Sequence, residues 1–227
     1  MYFDYYYLVL VVPTLLLSLW AQFLVKSTFA KYSKIRCSRN LTGTDAAALL
    51  LRTNGISDVR IESVGGSLTD HYDPGSKVLR LSQPVYARPS IAAVGVAAHE
   101  TGHAIQHAVH YAPLALRSTL VPIANIGSSF GPILAIAGIF FSLPLLLNLG
   151  IILFGGAVLF YVITLPVEFN ASARAIAILK SNNLLTQDEL AGVKKVLTAA
   201  ALTYVASALT AIMSLLRLVL ISRGRKR

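Results

Sequence analysis

From residue 118 to residue 167 the chain carries no Asp, Glu, Lys, Arg or His. A run of about 50 uncharged residues accommodates two membrane spans of ~20 residues each. Pro144 and Asn148 fall near its middle and mark the expected turn, so residues 122–143 and 149–167 read as a transmembrane hairpin. The competing reading is a buried hairpin of a large soluble protein. A chain of 227 residues has nothing with which to cover such a hairpin, and uncovered apolar helices belong in lipid. Composition agrees: charged residues make up 13%, against about 25% in soluble domains.

Residues 5–25 form another uncharged run. A cleaved signal peptide needs a positive start and a small-residue cleavage site. Here Asp4 is the sole charge before Lys26, so the segment reads as an uncleaved anchor. Lys26, Lys31, Lys34, Arg36 and Arg39 follow it directly. The positive-inside rule then places the N-terminus outside and the next segment in the cytoplasm. The last apolar stretch, residues 196–222, carries Thr203, Ser207, Thr210, Ser214 and Arg217 at steps of four and three. That spacing draws a polar stripe along one helical face. A span could turn the stripe onto its neighbours, whereas an amphipathic helix could lie at the interface. After three spans, a fourth would carry the basic tail, residues 222–227, outside. The expectation is a membrane-associated helix that does not fully cross, with a fourth span as the alternative. The single cysteine, Cys37, excludes an intrachain disulfide.

The polar segments 26–117 and 168–195 then share one side and can form one domain. Thr44-Asp45 predicts a helix start and Asn54-Gly55 a stop. Residues 58–63, 67–69 and 77–82 predict strands, with turns at Gly65-Gly66 and Asp73-Pro74-Gly75. A helix runs from about Pro89-Ser90 to Tyr111. Thr186 with Glu189 three residues on predicts a capping box.

That second polar helix contains Ala98-His99-Glu100-Thr101-Gly102-His103. His99 and His103, four apart, share a helical face about one turn apart. Two imidazoles so placed can bind one zinc ion, and Glu100 can reach a metal-bound water as general base. A catalytic zinc needs a third protein ligand. A third His at the tenth position after the first is one solution, but Val109 stands there, and Gln106 stands where a Gly would be expected. His107 and His110 are carried away from the ion by helix geometry and read as interfacial or ligand-supporting histidines. A later Glu is the other solution. After the motif only Glu168, Asp188 and Glu189 remain, and the last two are explained by capping. Glu168, where the uncharged hairpin ends, completes the site better than it serves as a boundary charge. A helix start there would also suit its charge.

Residues 98–106, the segment Leu165-Pro166-Val167-Glu168-Phe169-Asn170-Ala171-Ser172, and Leu68-Thr69-Asp70-His71-Tyr72-Asp73-Pro74 resemble the YugP-like zinc-dependent membrane proteases. The resemblance covers nearly the whole chain, including the order of its apolar segments. More distantly, Glu168-Phe169-x-Ala171 is similar to the third-ligand motif of HtpX-type membrane metalloproteases. The resemblance implies a gluzincin site, with His99, His103 and Glu168 as zinc ligands and Glu100 as base. The chain departs from the distant pattern at Ser172, where that family has an Asp that orients a ligand His. Asn170 is one group that could take over this role.

These readings imply a mainly α membrane protein with a small α+β, zincin-like cytoplasmic domain. It would have three transmembrane helices plus the C-terminal membrane-associated, or fourth spanning, helix. The divisions are an anchor at 5–25, a catalytic part at 26–117, the hairpin at 118–167, cytoplasmic helices with the third ligand at 168–195, and the C-terminal helix and tail at 196–227. The implied activity is zinc-dependent peptide hydrolysis in a multi-pass cell-membrane protein. Its active site would face the cytoplasm, and its partners would be protein or peptide substrates and the bilayer. His71, Tyr72, His107, His110 and Tyr204 are candidates to stabilise the oxyanion. Residues 77–82 are expected as an edge strand that an extended substrate could join, an arrangement HtpX-type proteins resemble. The competing classes are a zinc-binding scaffold or chaperone without activity and a basic adaptor for anionic lipid. Nucleic acid is a poor reading of the net charge of +10, because the excess lies beside apolar spans.

Overall fold

A computed structural model describes residues 5–224; Asp4 and the tail residues 225–227 lie outside them. A π-helical turn at Tyr7–Val11 leads into α1 (Val12–Tyr32). Then come α2 (Gly43–Thr53), β1 (Arg60–Val64), β2 (His71–Asp73), β3 (Val78–Ser82), α3 (Gln83–Tyr86), α4 (Ile91–Ala108), α5 (Ala112–Phe140), α6 (Pro144–Ser181) and α7 (Gln187–Gly224). Among the described residues four helices, at Tyr7–Tyr32, Ala112–Phe140, Pro144–Ser181 and Gln187–Arg223, are long and apolar enough to cross a membrane. The protein is a mainly α membrane protein. The C-terminal stretch is among the four, so its length and composition suit a span as well as the interfacial helix expected from its tail.

The chain forms two units. One comprises Met1–Gln22, Ala115–Pro166 and Leu202–Arg227. Its core is apolar: Ala135, Leu147, Phe154, Ala157, Val158, Ala211 and Leu218. Glycines bring α5 and α6 together. A Cβ on Gly127 would strike the carbonyl of Leu153, and one on Gly131 would come 2.8 Å from the Phe154 backbone. Small residues at such spacing are how helices approach closely where lipid removes the hydrophobic drive. Part of the α7 stripe faces α1: the Thr210 hydroxyl lies 3.1 Å from that of Ser18, and the Arg217 guanidinium sits 5.2 Å from the centre of the Tyr7 ring. The hairpin turn falls at 141–143, with Ser142 left-handed at φ 57°. Pro144 opens α6, where a missing amide costs nothing, and Asn148 lies inside the helix and not in the turn.

The other unit comprises Phe23–Leu114 and Val167–Ala201. Here α4 is almost wholly buried and starts where Ser90 Oγ accepts from the Ala93 amide at 3.2 Å. Thr42 and Asp45 form a reciprocal capping box for α2. That places the helix start before the expected Thr44, whose hydroxyl instead donates to the Tyr86 carbonyl. Thr186 and Glu189 cap α7 as expected.

The sheet order is β1-β3-β2, with β1 parallel and β2 antiparallel to β3. Two expectations are corrected here. The second strand is His71–Asp73, not residues 67–69, because Leu68 takes φ 59°, a left-handed conformation no strand contains. The strand at 77–82 is central, not an edge. It pairs with β1 over Val78–Ser82 and with β2 over Val78–Arg80; within Val78–Ser82, Val78, Leu79, Leu81 and Ser82 are buried and only Arg80 is part-exposed. Near-continuous burial marks an interior strand, so a substrate cannot join β3 as an added strand.

Candidate metal centre

His99, Glu100, His103 and Gln106 project from α4, and Glu168, Asn170, Ser172 and Arg174 from α6. The two helices meet at Gly102. A Cβ there would lie 2.7 Å from the Ala171 carbonyl oxygen, closer than such atoms approach, so only glycine allows this spacing. One residue on, His103 therefore reaches the α6 side chains.

His99 Nε2 lies 3.2 Å and His103 Nε2 3.6 Å from Glu168 Oε2. The donor atoms of the three residues all lie within 4.8 Å of one another. Glu168 is only 2% exposed. It sits in the interior of α6, so the expected helix start there is corrected: what holds its charge is the pair of histidines and not a helix dipole.

The far side of each imidazole is also held. Ser172 Oγ lies 3.1 Å from His99 Nδ1, and Gln106 Oε1 lies 3.0 Å from His103 Nδ1. The Gln106 amide nitrogen donates to the Val167 carbonyl at 2.8 Å and to Asn170 Oδ1 at 3.0 Å. This fixes Oε1 as the atom facing His103. An amide oxygen only accepts, so Nδ1 carries a proton, and Nε2 is the ring nitrogen turned towards Glu168. Asn170 Oδ1 also accepts from Arg174 Nε at 2.7 Å. Ser172, and not Asn170, thus stands beside the His99 imidazole, where the distant pattern has its Asp. Gln106, which the sequence alone gives no role at the centre, is the further residue that the structure adds to it. Its signal was a polar side chain three after His103 on an apolar helix, where it is fully buried.

Two inward imidazole nitrogens and a carboxylate, all within 4.8 Å of one another, are placed to hold a cation. The protein's own electrostatics register this. Burial opposes charge on His103, yet its hydrogen bond to Glu168 and the charges of Glu100 and Glu168 outweigh burial and raise its pKa. Two imidazoles and one carboxylate are a donor set suited to zinc. Beside them Glu100, 8% exposed, makes no hydrogen bond or ion pair among the described residues.

His107 and His110 stay outside the donor group, as helix geometry required. The Tyr72 hydroxyl lies 2.8 Å from His107 Nδ1. Both line a cavity of about 290 Å3 with Ile56, Val59 and Ala104. Burial, with Asp58 and Asp73 nearby, pushes the Tyr72 phenol up to about 12, so it remains a donor at neutral pH. His71 is exposed at the start of β2, with Nδ1 2.9 Å from the Thr69 carbonyl. Tyr204 falls in the other unit.

Residues 7–223 match a protein family described as "Putative neutral zinc metallopeptidase". The chain is 51% identical over 215 residues to "Putative membrane protease YugP" of Bacillus subtilis (strain 168), covering 95% of this chain and 96% of that protein. No solved structure matches it. Since the match runs from the first long helix to the end of the last and takes in both helices of the metal centre, the chain belongs to this zinc metallopeptidase family.

Proposed function

We propose that the protein is a zinc-dependent endopeptidase of the gluzincin type, with His99, His103 and Glu168 as ligands and Glu100 as general base. The observation that carries this reading is a nearly buried Glu100, with no hydrogen bond or ion pair among the described residues, beside a three-donor cluster. A structural zinc is closed by four protein ligands, whereas a catalytic one keeps a position open. Bound zinc supplies a Lewis acid that polarises a peptide carbonyl and lowers the pKa of a water molecule towards ~7. The chain's own residues do the rest. Glu100 takes a proton from the attacking water and passes it to the amide nitrogen as the C–N bond breaks. Gln106 and Ser172 keep the imidazoles in the tautomer and orientation that turn Nε2 inward.

The α4 half of the centre lies between the first and second long apolar helices, and the α6 half lies in the C-terminal part of the third, beyond the uncharged run that ends at residue 167. They therefore share one side of the bilayer, whether or not the last helix crosses. Lys26, Lys31, Lys34, Arg36 and Arg39 beside the first run support the cytoplasmic side. Membrane or locally unfolded proteins at that face are the substrates this location suits. In detergent, Glu100→Gln should retain zinc and lose about 10² or more in cleavage of an unfolded protein. Undiminished cleavage by that variant refutes the mechanism. Lys77→Cys and Gln187→Cys should both resist impermeant thiol reagents added to intact cells, and ready labelling of either refutes the placement.

A further inference from the structure

Leu24, Thr28, Lys31 and Tyr32 on α1 face Lys194, Lys195, Thr198 and Ala199 on α7 across a groove of about 400 Å3. The steps of three and four put each set on one helical face. Gly192 sets the spacing: a Cβ there would come 2.8 Å from the Tyr32 ring. One end of the groove is apolar, at Leu24 and Ala199. Lys31, Lys194 and Lys195 supply three ammonium groups, Thr28, Tyr32 and Thr198 supply three hydroxyls, and no carboxylate lines the groove. Lys31 lies 5.7 Å from the centre of the Tyr32 ring, and none of the three lysines forms an ion pair among the described residues.

Along the sequence the groove falls where apolar segments stop. The uncharged run 5–25 ends at Lys26, and the apolar stretch of α7 begins just after Lys195. That is the depth at which lipid headgroups lie. Topology alone explains lysines at this level, but it does not require three of them to converge on one concave site with hydroxyl groups and no acid.

We propose that this groove binds the phosphate of an anionic phospholipid, whose acyl chains follow the apolar end. The lysines supply charge and the Thr28 and Thr198 hydroxyls supply donors to phosphate oxygens. A free phosphate would satisfy the same groups without using the apolar end, and the experiment separates the two.

The delipidated protein in detergent is titrated with phosphatidylglycerol or phosphatidylcholine of equal chain length, and retained lipid is counted by native mass spectrometry. Wild type should prefer phosphatidylglycerol by on the order of tenfold or more, since three lysines face the anionic headgroup. K31Q/K194Q/K195Q should abolish the preference, with Cys37 still protected from thiol reagents as proof of folding. K26Q/K34Q/R39Q, which removes as much charge elsewhere, should keep it. Thr198→Trp, which fills the groove without changing charge, should weaken retention. Equal loss in both triple variants would mean diffuse attraction and overturn the site. Full retention by Thr198→Trp, or displacement of the lipid by millimolar inorganic phosphate, would overturn the lipid assignment.

Discussion

The two units use the same packing device for different ends. At α5 and α6, Gly127, Gly131, Gly138 and Gly150 let one helix backbone touch another, and only apolar side chains gather around them. At α4 and α6, Gly102 meets the Ala171 carbonyl in the same way, but here the approach closes two imidazoles on a carboxylate. Among the described residues, the first unit contains no Asp, Glu or His. The same contact is therefore mechanical in one place and chemical in the other. A glycine at a helix crossing tells nothing of function until the neighbouring side chains are read.

The largest expected effect separates the units completely. Glu168→Ala removes the α6 half of the centre, and zinc content and cleavage should both fall to background. A zinc-replete Glu168→Ala protein would remove that residue from the ligand set. Next come the paired glycines. Gly102→Ala and Gly127→Ala should each cost about 1–3 kcal/mol through overpacking, read as a lowered thermal midpoint in detergent. Only Gly102→Ala should also weaken zinc binding. If Gly127→Ala releases zinc to the same extent, the division between mechanical and chemical contacts fails. Smaller still are the groups behind the imidazoles: Gln106→Met and Ser172→Ala should lower zinc affinity by about 10–100-fold, measured by competition with a chelator. Ser172→Ala should leave the midpoint of zinc-free protein nearly unchanged, whereas Gln106→Met, which strands buried partners, should also lower it.

What the sequence made legible follows from the range of each interaction. His99 and His103 share one helix, so a spacing of four sufficed to pair them. Glu168 was found because acids after the motif are scarce. Its setting was misread, since continuity of α6 through 168 depends on what covers it and not on the local sequence. Gln106 was passed over because a glutamine on a helix is unremarkable until its neighbours on α6 are known. β3 was misplaced for a related reason. Its pattern fits a half-buried strand, but whether a strand has one neighbour or two is settled by β2, whose position Leu68's left-handed turn shifted. The four long helices were legible because absence of charge needs no partner to be seen, while the crossing of α7 turned on a polar stripe whose facing helix the sequence did not name.

The smallest expected effect concerns acid, and it sharpens the comparison most. Carboxylates occur in one unit alone among the described residues, so acid should loosen that unit first. Hydrogen bonds from Thr42 to Asp45, from Lys77 to Asp58 and from Ser76 to Asp73 hold these acids below the ordinary aspartate value of 3.8, to about 2 for Asp73. An acid whose folded pKa is lowered contributes stability above its unfolded value, and that stability is lost as pH falls through the folded one. Asp70 works the other way. Burial raises it, so its contribution is present below 3.8 and lost as pH rises through its folded value. Three against one, the unit should weaken between about pH 4 and pH 2. Each unit carries its own reporter: Trp20 is the sole tryptophan and Cys37, buried, the sole cysteine. Over that window Cys37 should become reactive towards a pyridyl disulfide while Trp20 emission holds. Asp73→Asn keeps an acceptor and removes the titration. It should raise Cys37 reactivity at pH 7, by an amount that shrinks as pH falls towards 2. If Trp20 and Cys37 instead respond along one pH curve, the two units open together and the contrast between them is one of composition alone.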